Sequence, residues 1–414
     1  MNEWKETDLG TIPNHWLVVN VDYLIEHKII EKPLDGNHGE LHPSGNDFVD
    51  KGIPFVMATD VVNGKVDLAN CKFITEEQAG KLNKGFSLPG DVLLTHKASI
   101  GRTAIVGKIT SPYIMLTPQV TYYRVINENK LLNKYLKYFF DSPVFQEILI
   151  NHSDSGSTRA YIGITAQREL PILLPPLPEQ RAIAAVLSSL DDKIDLLHRQ
   201  NKTLEAMVET LFNEQFIMNN EEWKIGQVSD FIEFNPTRSL PKGTIAPYLE
   251  MANVNTSVFH PAGWYDREFS SGMKFINGDT LLARITPCLE NGKSAYITFL
   301  NENQVGWGST EFIVMRSKEN LHTLFTYALA RNKDFRDYAE GCLEGSSGRQ
   351  RVNIDHLIKF EINVPPKENI ERFNSLMENI EPKLHNNFIQ IQTLTKLRDT
   401  LLPKLMSGEV RVTV

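Results

Sequence analysis

The chain has 414 residues, of which 41% are hydrophobic and 23% charged, the balance of a globular protein with room for two or three domain cores. The polar N-terminus and the absence of any apolar run near ~18 residues predict a cytoplasmic protein without membrane contact. Three scattered cysteines argue against a disulfide framework and a structural zinc site, and the net charge of −8 offers no broad basic surface for nucleic acid.

Residues 1–175 predict a first domain of mixed α/β type. Short β-branched runs such as Asp91–Thr95 lie between Gly, Pro and Asn turns and predict strands, and Leu131–Phe140 predicts a helix. A polar loop follows the strand and supplies Lys97, Ser99 and Arg102. A second polar loop supplies Ser157, Thr158, Arg159 and Tyr161.

Residues 176–218 predict a long central helix with an apolar seam. The seam consists of Ile183, Leu187, Leu190, Ile194, Leu197, Leu204, Val208 and Leu211, with Asn201 in the one polar slot. Its spacing alternates between four and three residues, which is typical of a coiled coil. The alternative is a helix packed on its own domain, but about four heptads favour a helix pair.

Residues 219–366 repeat the first domain. Ser157-Thr158-Arg159 lies 190 residues before Ser347-Gly348-Arg349, and the run GDVLL from Gly90 resembles GDTLL from Gly278. The segments Glu311–Met315 and Leu321–Arg331 predict a strand and a helix. Similarity in one register over so many positions indicates a duplication, which must be sought before any other feature.

The polar loops recur in the second repeat and are the candidate DNA-reading residues. The first loop's counterparts are Arg284, Thr286, Asn291 and Lys293, and the second loop's are Ser346, Ser347, Arg349, Gln350 and Arg351. Arg and Lys suit phosphates and guanine edges, whereas Asn and Gln suit adenine. The alternative is that these glycine-rich loops only turn the chain and that their arginines pair with nearby carboxylates.

Residues 367–414 predict a distal helix and a C-terminal tail. The seam returns in the same register at Phe373, Met377, Ile380, Leu384, Ile391, Leu394 and Leu401, with Asn387 and Arg398 in polar slots. Pro382 is expected to kink this helix or to delay its start. Repeats related by a pseudo-two-fold axis would set the two helices antiparallel, as a coiled coil between two mixed α/β domains.

Catalytic and metal motifs are missing from the sequence. There is no Asp/Asn-Pro-Pro-Tyr motif of an amino-methyltransferase and no GxGxxG, and the run PCLENGKS from Pro287 lacks the first glycine of a phosphate-binding loop. His38 and His42 lie four residues apart in a Gly/Pro loop without the glutamate of a zinc protease. We therefore expect no catalytic residue and no metal site; an enzyme with unfamiliar motifs remains an alternative.

Three stretches resemble the specificity-subunit family of type I restriction–modification systems. They are GSTRAYIGITAQRELPILLPPLPEQRAIAAVLSSLDDKIDLL (Gly156–Leu197), GDTLLARITPCLENGKSA (Gly278–Ala295) and LTKLRDTLLPKLMSGEVRV (Leu394–Val412). The resemblance implies two target-recognition domains that read the halves of a split double-stranded DNA site. It also implies partners, expected as two methyltransferase and two restriction subunits, which hold S-adenosylmethionine, ATP and magnesium; this chain binds no cofactor of its own.

The helix length agrees with that resemblance. A spacer of ~30 residues at 1.5 Å each is roughly 45 Å long, which exceeds one DNA turn of roughly 34 Å. Two domains held by such a spacer would meet one duplex about a turn apart. The other hypothesis is a coiled-coil scaffold that binds proteins and no DNA; it accounts better for the acidic charge but leaves the recurring polar loops unexplained.

Overall fold

The computed structural model describes residues 3–39, 42–153, 161–218, 222–256, 258–346 and 350–412. The chain forms two compact units. Unit 1 comprises residues 1–193 and 394–414, and unit 2 comprises residues 194–393. None of the described helices is long and apolar enough to cross a membrane.

Among its described residues, unit 1 contains fourteen short strands and the first six α-helices. The strands are β1 Trp4–Thr7, β2 Gly10–Pro13, β3 Leu17–Asn20, β4 Leu34–Asp35, β5 Ile53–Val56, β6 Val61–Val62, β7 Lys65–Val66, β8 Lys72–Ile74, β9 Phe86–Ser87, β10 Val92–Thr95, β11 Thr103–Ile105, β12 Ile114–Leu116, β13 Val120–Tyr123 and β14 Pro171–Leu174. The helices are α1 Val21–Glu26, α2 Glu76–Gly80, α3 Asn133–Asp141, α4 Pro143–Asn151, α5 Ile164–Glu169 and α6 Leu177–Phe212, of which α6 continues into unit 2.

In the part of unit 2 that the structure describes there are twelve strands and the other four α-helices. The strands are β15 Lys224–Gln227, β16 Ile232–Phe234, β17 Ile245–Leu249, β18 Tyr265–Glu268, β19 Met273–Phe275, β20 Thr280–Ala283, β21 Ser294–Tyr296, β22 Gly306–Gly308, β23 Phe312–Ser317, β24 Leu343–Glu344, β25 Arg351–Val352 and β26 Glu361–Val364. The helices are α7 Leu324–Arg331, α8 Lys333–Gly341, α9 Ile354–Leu357 and α10 Lys367–Ser407, which ends in unit 1.

The two units have the same sheet topology. One four-stranded sheet has the order β11-β10-β13-β4 in unit 1 and β21-β20-β23-β16 in unit 2. A second has the order β8-β5-β12-β9 in unit 1 and β18-β17-β22-β19 in unit 2, and in each the two central strands are parallel. The antiparallel pair β14–β3 corresponds to β26–β15. The mixed α/β class and the tandem repeat predicted from the sequence are therefore confirmed.

A buried aspartate explains why the Gly-Asp motif occurs in both repeats. Gly90 and Gly278 each adopt a positive φ that favours glycine, and they turn the chain into β10 and β20. The following carboxylates, Asp91 and Asp279, are 1% and 0% exposed. Asp91 accepts from the backbone N–H of Leu88 at 2.7 Å, and an arginine of the neighbouring strand region completes each site.

The cores combine the sheets with the long helices. In unit 1, Ile183 and Leu187 of α6 share one apolar cluster with Leu405 and Met406 of α10 and with Trp16. In unit 2 the shared cluster contains Val208 of α6, Phe216 just after α6, the α10 residues Phe373, Met377, Ile380 and Leu384, and Phe325 of the globular part. The seam residues thus pack on their own domains as well as between helices.

The helices are antiparallel within each unit. In unit 2, Nδ2 of Asn387 donates to Oδ1 of Asn201 at 2.8 Å, while the Phe373 ring lies 5.3 Å from that of Phe216. Residue numbers therefore fall along the α10 side of the pair as they rise along the α6 side. In unit 1, Arg398 contacts Asp191 at 2.9 Å, and Leu405 shares the cluster that holds Leu187. The antiparallel helix pair predicted from the seam is confirmed.

Pro382 does not delay the second helix, contrary to one of the two expectations from the sequence. Helix α10 begins at Lys367 and continues through Pro382. Proline removes one N–H donor, which costs a hydrogen bond inside a helix. Here the flanking Ile380 and Leu384 are buried in the unit 2 core, so tertiary packing outweighs the local preference.

Candidate nucleic-acid interface

The two predicted loops of unit 1 lie side by side. Lys97 forms an antiparallel bridge with Tyr161, and the N–H of Ile162 donates to the carbonyl of His96 at 3.0 Å. In return, Nδ1 of the buried His96 ring donates to the carbonyl of Ile162 at 2.9 Å. Loops that are some sixty residues apart in sequence therefore form one surface at the end of β10.

Unit 2 joins its loops in the same way. Ile285 bridges Arg351, and the N–H of Val352 donates to the carbonyl of Arg284 at 3.0 Å. Nε of Arg284 donates to the carbonyl of Val352 at 3.1 Å. These bonds align Arg284 with His96 and Ile285 with Lys97. The permanently charged guanidinium of Arg284 in unit 2 thus corresponds to the buried imidazole of His96 in unit 1.

The predicted residues of unit 1 are partly available to a ligand. Arg102 is exposed and makes one long hydrogen bond, of 3.4 Å, to the carbonyl of Ala58. Lys97 is half-buried, with its ammonium 5.6 Å from the centre of the exposed Tyr161 ring. Ser99 is half-buried, and Ser157, Thr158 and Arg159 lie outside the described residues. Lys97, Arg102 and Tyr161 therefore form the accessible polar group of this surface.

Two predicted cations of unit 2 are committed to the backbone. Arg284 donates to Val352 as described, and Nζ of Lys293 donates to the carbonyl of Met251 at 2.9 Å. Asn291 is exposed, whereas Thr286 and Gln350 are half-buried. Ser347 and Arg349 lie outside the described residues. The DNA contacts of Arg284 and Lys293 remain predictions, but both side chains already hold the loops together.

Glycines let both loops approach a helix closely. Gly101 and Gly292 have φ values of 92° and 70°. A Cβ at Gly101 would lie 2.1 Å from Oε1 of Gln146, and one at Gly292 would lie 2.3 Å from Nη1 of Arg336. The Gly-Arg and Gly-Lys motifs are thus needed where the loop packs on α4 or α8, and the residue after each glycine leads into β11 or β21.

A cavity lined in part by polar side chains adjoins the unit 1 loops. Its volume is about 290 Å³, and its lining includes His38, His42, Lys97, Thr117 and Gln119. Next to it the buried Asp35 accepts from Nε2 of His38 at 2.9 Å and pairs with Lys84. From the sequence, the two histidines were expected to lie in a loop without a metal site. Among the described residues no group of three or more His, Cys, Asp or Glu side chains could hold a metal ion.

Two residues that the sequence analysis missed organise these surfaces. Burial lowers the pKa of His96, although its bond to Ile162 and the nearby Asp35 carboxylate favour the charged form. Glu311 lies just before β23 and accepts from the exposed Arg351, whose hydrogen bonds lower the pKa of that carboxyl. The alignment of Thr95-His96 with Ala283-Arg284 could have drawn attention to His96; no sequence signal joined Glu311 to Arg351.

A family model for the type I restriction modification DNA specificity domain matches this chain twice, over residues 37–206 and 220–392. The type I restriction enzyme MjaIX specificity subunit of Methanocaldococcus jannaschii is 26% identical, covering 99% of this chain and 97% of that protein. The HindI specificity subunit of Haemophilus influenzae is 22% identical over 99% of this chain and its own full length.

A solved structure has the same fold. The type I restriction–modification S subunit from M. genitalium aligns with a TM-score of 0.56 and 14% identity, covering 94% of this chain and 96% of that one. Both repeats found in the sequence and in the sheets coincide with a copy of the family's domain. The chain therefore belongs to the type I restriction–modification DNA specificity family, as a specificity subunit that carries the family's domain twice.

Proposed function

We propose that each globular part reads one half of a bipartite, asymmetric site in double-stranded DNA. The observation that carries this proposal is the matched pair of loops at the end of β10 and of β20, joined by equivalent backbone bonds. The side chains on these two surfaces differ: Lys97, Arg102 and Tyr161 in unit 1, against Asn291 and Arg351 in unit 2. One scaffold with different polar groups suits two different half-sites.

The long helices set the distance between the half-sites and dock the partners in this proposal. The relatives are specificity subunits of type I restriction enzymes, which supports a complex with methyltransferase and restriction subunits, two of each. Outward-facing apolar side chains on both helices are available for docking: Leu196 and Met207 on α6, and Ile389 and Leu397 on α10, are 39–47% exposed.

We assign the chemistry to those partners. S-adenosylmethionine, ATP and magnesium are expected there, and the isolated chain should neither methylate nor cut DNA. Incubation of the purified chain with labelled S-adenosylmethionine and duplex DNA tests this assignment. Methyl transfer by the chain alone would refute it.

The decisive experiment exchanges one recognition unit. The complex of this chain with its methyltransferase subunit is expressed in a host that lacks adenine methylation, and the methylome gives the bipartite motif. Replacing residues 1–150 by the equivalent part of a relative should change one half-site and leave the other. A hybrid in which both halves change would refute the assignment of one domain to one half-site.

The net charge of −8 favours a second candidate, a coiled-coil scaffold that binds no DNA. Contacts to phosphates release counterions, so DNA affinity should fall steeply between low and moderate salt. The scaffold hypothesis predicts that the assembled complex has no such salt-dependent affinity for duplex DNA. Binding measured at several salt concentrations separates the two functions.

A further inference from the structure

The guanidinium of Arg351 is held on one side only. Its Nε donates to Oε1 and Oε2 of Glu311 at 3.0 and 2.9 Å, and its Nη2 donates to Oε1 at 2.5 Å. These atoms form the side edge of the guanidinium plane. No described residue accepts from Nη1, so within the described part of the chain the end edge, formed by Nη1 and the second N–H of Nη2, has free donors.

The backbone fixes this arginine as firmly as the carboxylate does. Arg351 lies in β25, where it pairs with Glu344, and it also bridges Ile285 of the neighbouring loop. Glu311 is anchored by its carbonyl, which accepts from the N–H of Arg284 at 2.8 Å, and by its N–H, which donates to Oγ of Ser309 at 3.1 Å. Both partners are therefore positioned before any ligand arrives, which reduces the entropy lost on binding.

The exposed part of the pair is the arginine. The Arg351 side chain is 48% exposed, whereas that of Glu311 is 21% exposed. Glu311 cancels the charge of Arg351, so the pair itself is neutral while its free donors remain directional. Neutrality weakens the attraction to a phosphate, and two parallel N–H donors match the O6 and N7 acceptors of guanine in the major groove.

Resting on the proposed function, we infer that Arg351 reads a guanine in the half-site of unit 2 and that Glu311 is its positioning residue. Unit 1 contains no equivalent pair. The equivalent backbone bonds place Tyr161 at the position of Arg351 and Gln119 at that of Glu311. The half-site of unit 1 is accordingly read by other chemistry, and the guanine contact belongs to one half of the site.

The first test changes Arg351 in the full complex with its methyltransferase subunit. Arg351→Ala should make one guanine position of the unit 2 half-site degenerate in the methylome, with the other half-site unchanged as an internal control of folding. Lys333→Ala removes an exposed cation of the same unit, 78% exposed on α8, and should leave the motif intact. An unchanged motif in an active Arg351→Ala complex would overturn the inference.

The second test separates a base from a phosphate. Replacing each guanine of that half-site in turn by 7-deazaguanine removes the N7 acceptor, and wild-type affinity should fall on the order of tenfold at one position. Arg351→Ala should be insensitive at that position, because alanine offers no donor to N7. If Arg351→Lys instead keeps full affinity and Arg351→Ala loses affinity equally for all sequences, the contact is to phosphate and the guanine assignment is wrong.

The third test addresses Glu311. Glu311→Gln loses one acceptor oxygen, so we expect the ratio of affinities for guanine and 7-deazaguanine to shrink toward one while assembly is retained. A purely structural role would lower stability and leave that ratio unchanged, which would remove Glu311 from the reading of the base. If the wild-type complex methylates no bipartite motif, the proposed function fails, and this result is distinct from failure of the Arg351 assignment.

Discussion

The two units anchor the long helices with carboxylates in opposite environments. In unit 1, Asp191 of α6 accepts from the Tyr138 hydroxyl at 2.7 Å and from Arg398 at 2.9 Å, and Lys137 lies 3.6 Å away. In unit 2, Glu205 of the same helix accepts from the Tyr327 hydroxyl at 2.8 Å, and Arg331 lies close enough to lower its pKa. A tyrosine in the globular part of each unit thus binds an acid of α6.

The two environments shift the pKa values of Asp191 and Glu205 in opposite directions. Burial raises the pKa of Asp191, but the bonds from Tyr138 and Arg398 and the charge of Lys137 outweigh it, so the net pKa is lowered. Burial raises the pKa of Glu205 to about 7, in spite of the Tyr327 bond and the Arg331 charge. Each unit therefore ties α6 to a tyrosine of its globular part, but the charges that compensate the two carboxylates differ.

The largest loss of folding stability is expected from substitutions in the helix seam, which is a feature that both units share. Leu187→Asp places a carboxylate at a position that is 0% exposed in the unit 1 core, and a loss above about 4 kcal/mol should prevent stable folding and partner assembly. Leu394→Asp affects a half-buried seam residue and should cost less.

Leu397→Asp is the matched control for folding stability, because Leu397 lies three residues beyond Leu394 on α10 and is 44% exposed. It is not a control for assembly, since Leu397 belongs to the docking surface proposed above. Thermal unfolding of the isolated chains gives the order of the three variants. An L187D chain as stable as L397D would show that the seam has been assigned to the wrong face.

The next largest loss of stability is expected from substituting the aspartate of the Gly-Asp motif, a motif that both units contain. Asp91→Asn and Asp279→Asn should each lower the free energy of unfolding by about 3 kcal/mol, since each leaves partly buried arginines without their carboxylate. Glu31→Gln is the control, because Glu31 contacts the same Arg124 at 3.0 Å but is 44% exposed, and it should cost below about 0.5 kcal/mol. Denaturant unfolding measures all three; a large difference between Asp91→Asn and Asp279→Asn would mean that the repeats do not share this device.

A smaller change in stability, which depends on pH, distinguishes the carboxylate of unit 2 from that of unit 1. Folded Glu205 stays protonated up to about pH 7, whereas the unfolded group ionises near pH 4.5, so folding takes up a proton in this window. Stability contributed by this group therefore falls as pH rises from about 4.5 to 7. Glu205→Gln should abolish that fall and stabilise the chain at pH 8 by on the order of 2 kcal/mol.

Asp191 should show the opposite sign. The pKa of Asp191 is lowered in the folded chain. Its contribution to stability is therefore present above the pKa of the unfolded group, near 3.8, and is lost as pH falls through the folded pKa. Asp191→Asn should therefore destabilise the chain at pH 7. Unfolding curves at pH 5, 7 and 8 measure both variants, and stabilisation by both substitutions at pH 8 would contradict the difference between the anchors.

Features that recur in both repeats could be predicted from the sequence, whereas polar contacts that differ between the repeats could not. The duplication, the strand from Val92 and the seam of Ile183 and Leu187 were visible because apolar spacing and turn residues recur at one offset. The contact of Arg351 with Glu311 was not visible, since forty residues separate them and unit 1 has Tyr161 and Gln119 instead. Polar pairs formed across the fold leave no periodic signal.

The smallest change in stability, with a defined change in function, is expected from lengthening both helices. Asn201 and Asn387 lie at one level of the antiparallel pair, joined by their 2.8 Å hydrogen bond. An insertion after Asn201 is therefore matched by one after Asn386. Seven residues in each helix add about 10 Å and nearly keep the heptad phase, so the apolar seam stays continuous.

Four residues in each helix add about 6 Å but turn the following residues by roughly 40°, which moves the seam to another face. The seven-residue variant should methylate the same two half-sites with about three more unread base pairs, at ~3.4 Å per step, and with assembly close to wild type. The four-residue variant should assemble poorly. Methylome sequencing of both strains decides the point: an active seven-residue complex with unchanged spacing would show that the distance between half-sites is set by something other than these helices.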